Sequence, residues 1–172
     1  MSNVDKKILI TDTSVLINFL NIDRMDLLSQ YPGLFFITEH VVDEITNAFQ
    51  EQQSLLSIAI TNEIITVVSI NEEIELEIFN KLIKEHRLGV GECSAIACAI
   101  NRKYCLAIDD ITARKKAAKE DKDIIILNTQ DIMVTLVQEQ VLTVTEADLI
   151  KKRWENEYRF ALKIKTFSEV MK

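Results

Sequence analysis

The chain predicts an α/β fold: a central parallel five-stranded sheet flanked by helices, with a C-terminal helical extension. Three observations carry this reading. Short apolar, β-branched runs alternate with longer amphipathic ones, the pattern of parallel strands joined by crossover helices. Only three Gly and one Pro interrupt the 172 residues, so regular elements joined by short turns are expected. With 48% of residues hydrophobic, a core can form without disulfide or metal staples. The length suits one domain, residues 1–172, with a core over about 7–127 and an extension over about 128–172.

The elements follow in order. Lys7 to Thr11 reads as a buried strand, and Asp12-Thr13-Ser14 caps an apolar helix from Val15 to Leu20. Leu34 to Ile37 is a second strand. Thr38 caps a helix from Glu39 to about Gln53, and another runs from Leu55 to Asn62. Ile64 to Ile70 is a third strand. Glu72 to Leu88 is a charged amphipathic helix stopped at Gly89. Gly91 to Lys103 is an alanine-rich helix, and Cys105 to Ile108 is a strand ending at Asp109-Asp110. A helix from Ala113 to Lys119, a strand from Asp123 to Leu127 and a helix from Asp131 to Gln140 complete the core. The tail from Thr145 to Lys172 reads as largely helical.

Composition excludes several classes. No apolar run is long enough to span a bilayer, and the Met1–Lys7 segment does not lead into a signal-peptide core, so a cytoplasmic protein without membrane contact is expected. Cys93, Cys98 and Cys105 match no zinc spacing and read as small buried apolar residues. His40 and His86 are isolated and read as surface residues. No glycine-rich nucleotide loop is present. The net charge of −7 argues against a nucleic-acid binder, except that clustered carboxylates holding divalent cations offset it. Basic residues bunch at Arg114-Lys115-Lys116 with Lys119, and at Lys151-Lys152-Arg153 with Arg159 and Lys163; solvated helix faces explain such bunches equally well.

The acidic residues carry the chemistry. In open α/β sheets, ligands bind beyond the carboxyl ends of the strands. Asp12 follows the first strand and Asp109-Asp110 the fourth, although each also reads as a helix cap or turn. On a helical wheel at about 100° per residue, Glu44 falls at the edge of the apolar face and Asp43 opposite it. Glu44 can therefore reach a cleft while Asp43 stays in solvent. Glu92 opens the alanine-rich helix, where it complements the helix dipole. Gly89 and Gly91 beside it are expected to let the backbone bend tightly.

Four blocks appear in order: Ile8-Leu9-Ile10-Thr11-Asp12-Thr13-Ser14-Val15-Leu16-Ile17, Val41-Val42-Asp43-Glu44-Ile45, Gly89-Val90-Gly91-Glu92, and Leu106-Ala107-Ile108-Asp109-Asp110-Ile111-Thr112-Ala113-Arg114. Together they resemble PIN domains over roughly Lys7 to Leu127. The resemblance implies a metal-dependent endoribonuclease with Asp12, Glu44, Glu92 and Asp110 as its acidic site. Asp12, Glu92 and Asp110 would hold Mg²⁺ or Mn²⁺, hard cations that suit oxygen donors. Ser14 and Arg114 would contact the RNA substrate. The family's principal aspartate matches Asp110 rather than Asp109. The resemblance extends to the toxin of a toxin–antitoxin pair, with an antitoxin protein and a homodimer as partners.

Two alternatives stand beside it. A non-catalytic PIN-like binding module would keep the fold without the reaction. A haloacid-dehalogenase-like phosphoryl-transfer enzyme also begins with a strand-end aspartate, but it wants a second one two residues later, where Ser14 stands. A response-regulator receiver would place its acidic pair near the start rather than at Asp109-Asp110.

Overall fold

The computed structural model describes residues 6–171. The Met1–Asp5 part of the segment read above for a signal peptide, and Lys172 at the end of the tail, lie outside the described residues. Five parallel strands form one sheet in the order β3-β2-β1-β4-β5: β1 (Lys7–Thr11), β2 (Gly33–Thr38), β3 (Ile65–Val68), β4 (Cys105–Ala107) and β5 (Ile126–Leu127). The helices are α1 (Thr13–Asn21), α2 (Met25–Gln30), α3 (Glu39–Ala48), α4 (Gln50–Thr61), α5 (Glu73–Lys84), α6 (Val90–Arg102), α7 (Ile111–Glu120), α8 (Thr129–Gln138) and α9 (Val144–Tyr158). A 3-10 turn spans Phe167–Glu169.

Alternation along the strands sorts side chains onto two faces. Leu9, Phe35, Cys105 and Ala107 join a core with α1, α3, α8 and α9; Ile10, Leu106 and Ile108 join a second core with α5, α6 and α7. Parallel strands covered on both faces need apolar residues at consecutive positions, as Leu9-Ile10 and Cys105-Leu106-Ala107-Ile108 provide. All three cysteines are buried and unpaired.

Several elements differ from the sequence reading; β5, expected from Asp123, pairs only over Ile126–Leu127. α2 was not anticipated: its six residues make fewer than two turns, too few for a periodic pattern, yet Met25, Leu27 and Leu28 are buried. The helix expected to run to Gln53 breaks at Phe49, which leaves helical dihedrals while its ring packs on the core. α5 ends at Lys84, with His86 in the left-handed region (φ 50°), rather than running to Leu88. The tail is helical only to Tyr158, because Arg159 turns left-handed (φ 54°) and ends α9.

The tail nevertheless packs into the first core. Trp154 is fully buried, stands edge-on to Phe19 at 5.7 Å, and donates its indole N–H to the Asn18 carbonyl at 2.8 Å. The Tyr158 hydroxyl donates to the Asn21 carbonyl, and Phe167 is fully buried. Two residues of the second basic bunch are held in ion pairs. Lys151 is buried and pairs with Glu155, while Arg153 pairs with Glu157 and donates to the Ile22 carbonyl. No described helix is long and apolar enough to cross a membrane.

Candidate active site

The carboxyl ends of β1, β4 and β5 meet at one edge of the sheet. The Asp12 N–H donates to the Ala107 carbonyl at 3.2 Å, and the Ile108 N–H to the Leu127 carbonyl at 2.9 Å. Asp12 is 1% exposed. Its Oδ1 accepts from the Val15 N–H at 3.1 Å, so it caps α1, and its Oδ2 accepts from the Ser14 hydroxyl at 2.7 Å. Cap and cluster member are thus the same residue. Ser14 Oγ in turn accepts from the Asp109 N–H at 3.4 Å and ties the ends of β1 and β4 together.

Asp109 and Asp110 divide their tasks. Asp109 accepts from the Thr129 N–H and hydroxyl (2.8 and 2.7 Å) and from the Asn18 amide at 3.0 Å, so both its oxygens are committed. Asp110 is exposed and caps α7 through Oδ1 on the Ala113 N–H at 2.7 Å; its Oδ2 has no partner among the described residues. Arg114 lies on the Asp109 side, along a hollow that also touches Asn128, Phe160 and Lys163.

Glu44 enters from α3. Val41 and Ile45 are buried, Asp43 is exposed, and Glu44 is half-buried between them. Its Oε1 accepts from the Gly91 N–H at 2.7 Å and its Oε2 from the Thr13 hydroxyl at 2.5 Å. Glu92 folds back through Oε2 onto the Gly89 N–H at 2.9 Å, as a capping box requires.

Gly91 serves space rather than bending. No glycine has a positive φ. A Cβ on Gly91 would stand 2.5 Å from Glu44 Oε2 and 2.8 Å from its Cδ. Gly91→Ala is expected to displace the Glu44 carboxylate and break its bond to the Gly91 N–H. Ala gains about 1 kcal/mol over Gly in a helix, which offsets the lost hydrogen bond. Melting should therefore stay near wild type, which thermal melts check.

Like-charge repulsion links the acids. Burial is the main reason that the Asp12 carboxyl is pushed up to about 7; the Ser14 and Val15 hydrogen bonds oppose it, and Asp109 and Glu92 add to it. Burial also raises Glu92, opposed by the Gly89 N–H and reinforced by Asp110 and Glu44. Asp109 is raised by burial, against the Thr129 hydrogen bonds and the nearby Arg114.

Among the described residues, no three His, Cys, Asp or Glu side chains stand close enough together to hold one ion directly. The donor chemistry still fits a hydrated hard cation. Every donor is a carboxylate oxygen, the carboxylates repel one another, and Glu92 Oε1 and Asp110 Oδ2 have no hydrogen-bond partner among the described residues. Mg²⁺ keeps several waters and needs only one or two direct carboxylates.

Thr13, Asn18, Gly91 and Thr129 also shape this site, and the sequence reading did not single them out as site residues. Asn18 carried a signal: it is a polar residue on an otherwise apolar helix, one turn beyond Ser14. Thr129 carried a weaker one, two residues past a strand end. His40, expected at the surface, is half-buried 5.0 Å from Phe79, with its Nδ1 buried and unpartnered among the described residues.

Sheet order, crossover helices and strand-end carboxylates define an α/β protein with acidic side chains gathered at the carboxyl edge of its sheet. A PIN-domain family model matches residues 8–172, and the chain belongs to the PIN-domain family. Among solved structures, a chain in VapBC2 from Rickettsia felis, bound to a DNA fragment from the promoter, is similar at 15% identity and a TM-score of 0.48; the match covers 70% of this chain and 98% of that one. No curated protein matches the chain.

Proposed function

We propose that the chain is an endoribonuclease that uses Mg²⁺ or Mn²⁺ to hydrolyse RNA phosphodiester bonds. The observation that carries this reading is the set of mutually repelling carboxylates of Asp12, Glu44, Glu92 and Asp110 around the ends of β1 and β4. Asp12, Glu92 and Asp110 would hold the ion, one or two of them directly and the rest through its waters, and Glu44 would act through water. When bound, the ion supplies positive charge to the phosphate and lowers the pKa of water.

The protein's own groups do the positioning. Ser14 holds Asp12 through its hydroxyl and bridges to the Asp109 backbone. Thr13 and Gly91 hold Glu44 from two sides, which fixes the carboxylate that orients the attacking water. Arg114 lies beside Asp109, where it can meet a phosphate oxygen. Water attacks phosphorus, the bond to the 3′ oxygen breaks, and that oxygen takes a proton, leaving a 3′-hydroxyl and a 5′-phosphate.

The Ser14 hydroxyl, spent on Asp12, disfavours the haloacid-dehalogenase alternative, which needs a carboxylate there. The test is a pair of neighbours on α3. Glu44→Gln should lower Mn²⁺-dependent cleavage of single-stranded RNA by about a hundredfold or more. Asp43→Asn, in solvent, should leave it within about twofold, as ordinary surface substitutions do. Equal losses for both would sink the assignment; no metal-dependent cleavage by wild type would leave a binding module. The reading extends to a toxin with an antitoxin partner and a homodimer, which sedimentation with and without the product of the adjacent reading frame would test.

A further inference from the structure

The molecule is acidic, but the groove beside α7 carries the opposite sign. Between α5 and α7 lies a cavity of about 280 Å³ lined by Leu82, Glu85, Arg87, Leu88, Thr112, Lys115, Lys116 and Lys119. Four cations face one carboxylate there, on a chain of net charge −7. Thr112, Lys115, Lys116 and Lys119 recur at helical spacing and form one stripe along α7, about 10 Å from end to end. Lys116 is committed to Glu85 and Glu120 at 2.6 and 3.1 Å. Arg87, Lys115 and Lys119 have no ion-pair partner among the described residues and are exposed.

The groove borders the acidic site along two chain segments. Leu88 precedes Gly89, whose N–H holds Glu92, and Thr112 stands two residues after Asp110 in the first turn of α7. A strand of nucleic acid with one phosphodiester at the carboxylates would therefore meet unpaired cations as it leaves. Lys and Arg along the groove suit phosphates.

We propose that this groove is the exit track for the single-stranded RNA backbone, with Arg87, Lys115 and Lys119 holding phosphates next to the one being cleaved. The inference rests on the ribonuclease reading for the identity of its ligand. The groove helps an acidic protein retain a polyanion, because it sets unpaired positive charge beside the carboxylates.

The test separates groove from chemistry. In the Asp12→Asn background, a 20-nucleotide single-stranded RNA is titrated at several salt concentrations, with and without Arg87→Ala, Lys115→Ala and Lys119→Ala together. Single strands lose about 0.7 in the log–log salt slope per phosphate contact, so removing three cations should flatten the slope by about 2 and weaken binding about tenfold or more. With Asp12 restored, the triple variant should lower cleavage of the long RNA relative to a dinucleotide by a similar factor. An unchanged slope and affinity would overturn the groove, as would equal losses on the long RNA and the dinucleotide. If wild type cleaves neither substrate, the ribonuclease reading fails, and the binding titration still judges the groove. Salt-dependent capture of a polyglutamate peptide, with no binding of RNA, would give the groove to an acidic protein segment and overturn the proposal.

Discussion

Asp12→Asn should melt higher than wild type at pH 8 in EDTA while losing cleavage by at least about a hundredfold. The stability gain follows from linkage. The Asp12 carboxyl stands at about 7 in the fold against an ordinary 3.8, mainly because it is buried and secondly because Asp109 and Glu92 repel it. Between those values the folded chain holds a proton that the unfolded chain has released, so stability falls as pH rises through the window. Above about 7 the cost is fully present, and below about 4 it is gone. Three pKa units set a ceiling of about 4 kcal/mol. Relaxation and water entry should reduce this to about 1–3 kcal/mol, or roughly 2–10 °C in melting temperature. Asparagine keeps an acceptor for the Val15 N–H and adds no charge. Melts from pH 4 to 8.5 should show the difference opening as pH rises. A difference that stays flat across that range would remove the electrostatic account. Added Mn²⁺ should stabilise wild type by mass action and the variant much less.

The largest loss of stability is expected away from the cleft. Glu75 of α5 is fully buried. Arg102 at the end of α6 donates to both its oxygens and to the Ser69 carbonyl, and the Asn71 and Glu72 N–H groups donate to Glu75 Oε2. Burial raises the Glu75 carboxyl, but Arg102 and the two backbone donors carry it below the usual range. Arg102→Met should leave a buried carboxylate without its cation and cost about 3–5 kcal/mol. For a chain of this size that is about 6–20 °C. The double variant Glu75→Leu with Arg102→Met should recover much of the loss, since apolar replacements of buried pairs are often tolerated. A single variant melting within a degree of wild type would show that solvent reaches Glu75.

Periodicity made most of this architecture legible. Residues on both faces of β1 and β4 are apolar, which marks covered parallel strands, and the wheel separates half-buried Glu44 from exposed Asp43. What sequence could not show depends on distance through the fold. Glu75 and Arg102 lie 27 positions apart, and each reads alone as an ordinary charged helical residue. Gly91 looks like a hinge until Glu44, from another helix, is found against it. Asp109 and Asp110 are chemically identical neighbours. Only the arrival of Thr129 and Asn18 from other elements commits one of them to the interior.

The seating of Trp154 on α1 has a consequence for the order of synthesis. Asn18 gives its side chain to Asp109 and its carbonyl to Trp154, so the strand-end acids and α9 are fastened to the same residue. The ribosome makes α1 before α9. Until Trp154 emerges, Phe19 faces an open cavity and α1 lacks a partner on that side. Nascent chains stalled before Trp154 should be cut readily by protease around α1, and chains released just beyond Phe167 should resist it.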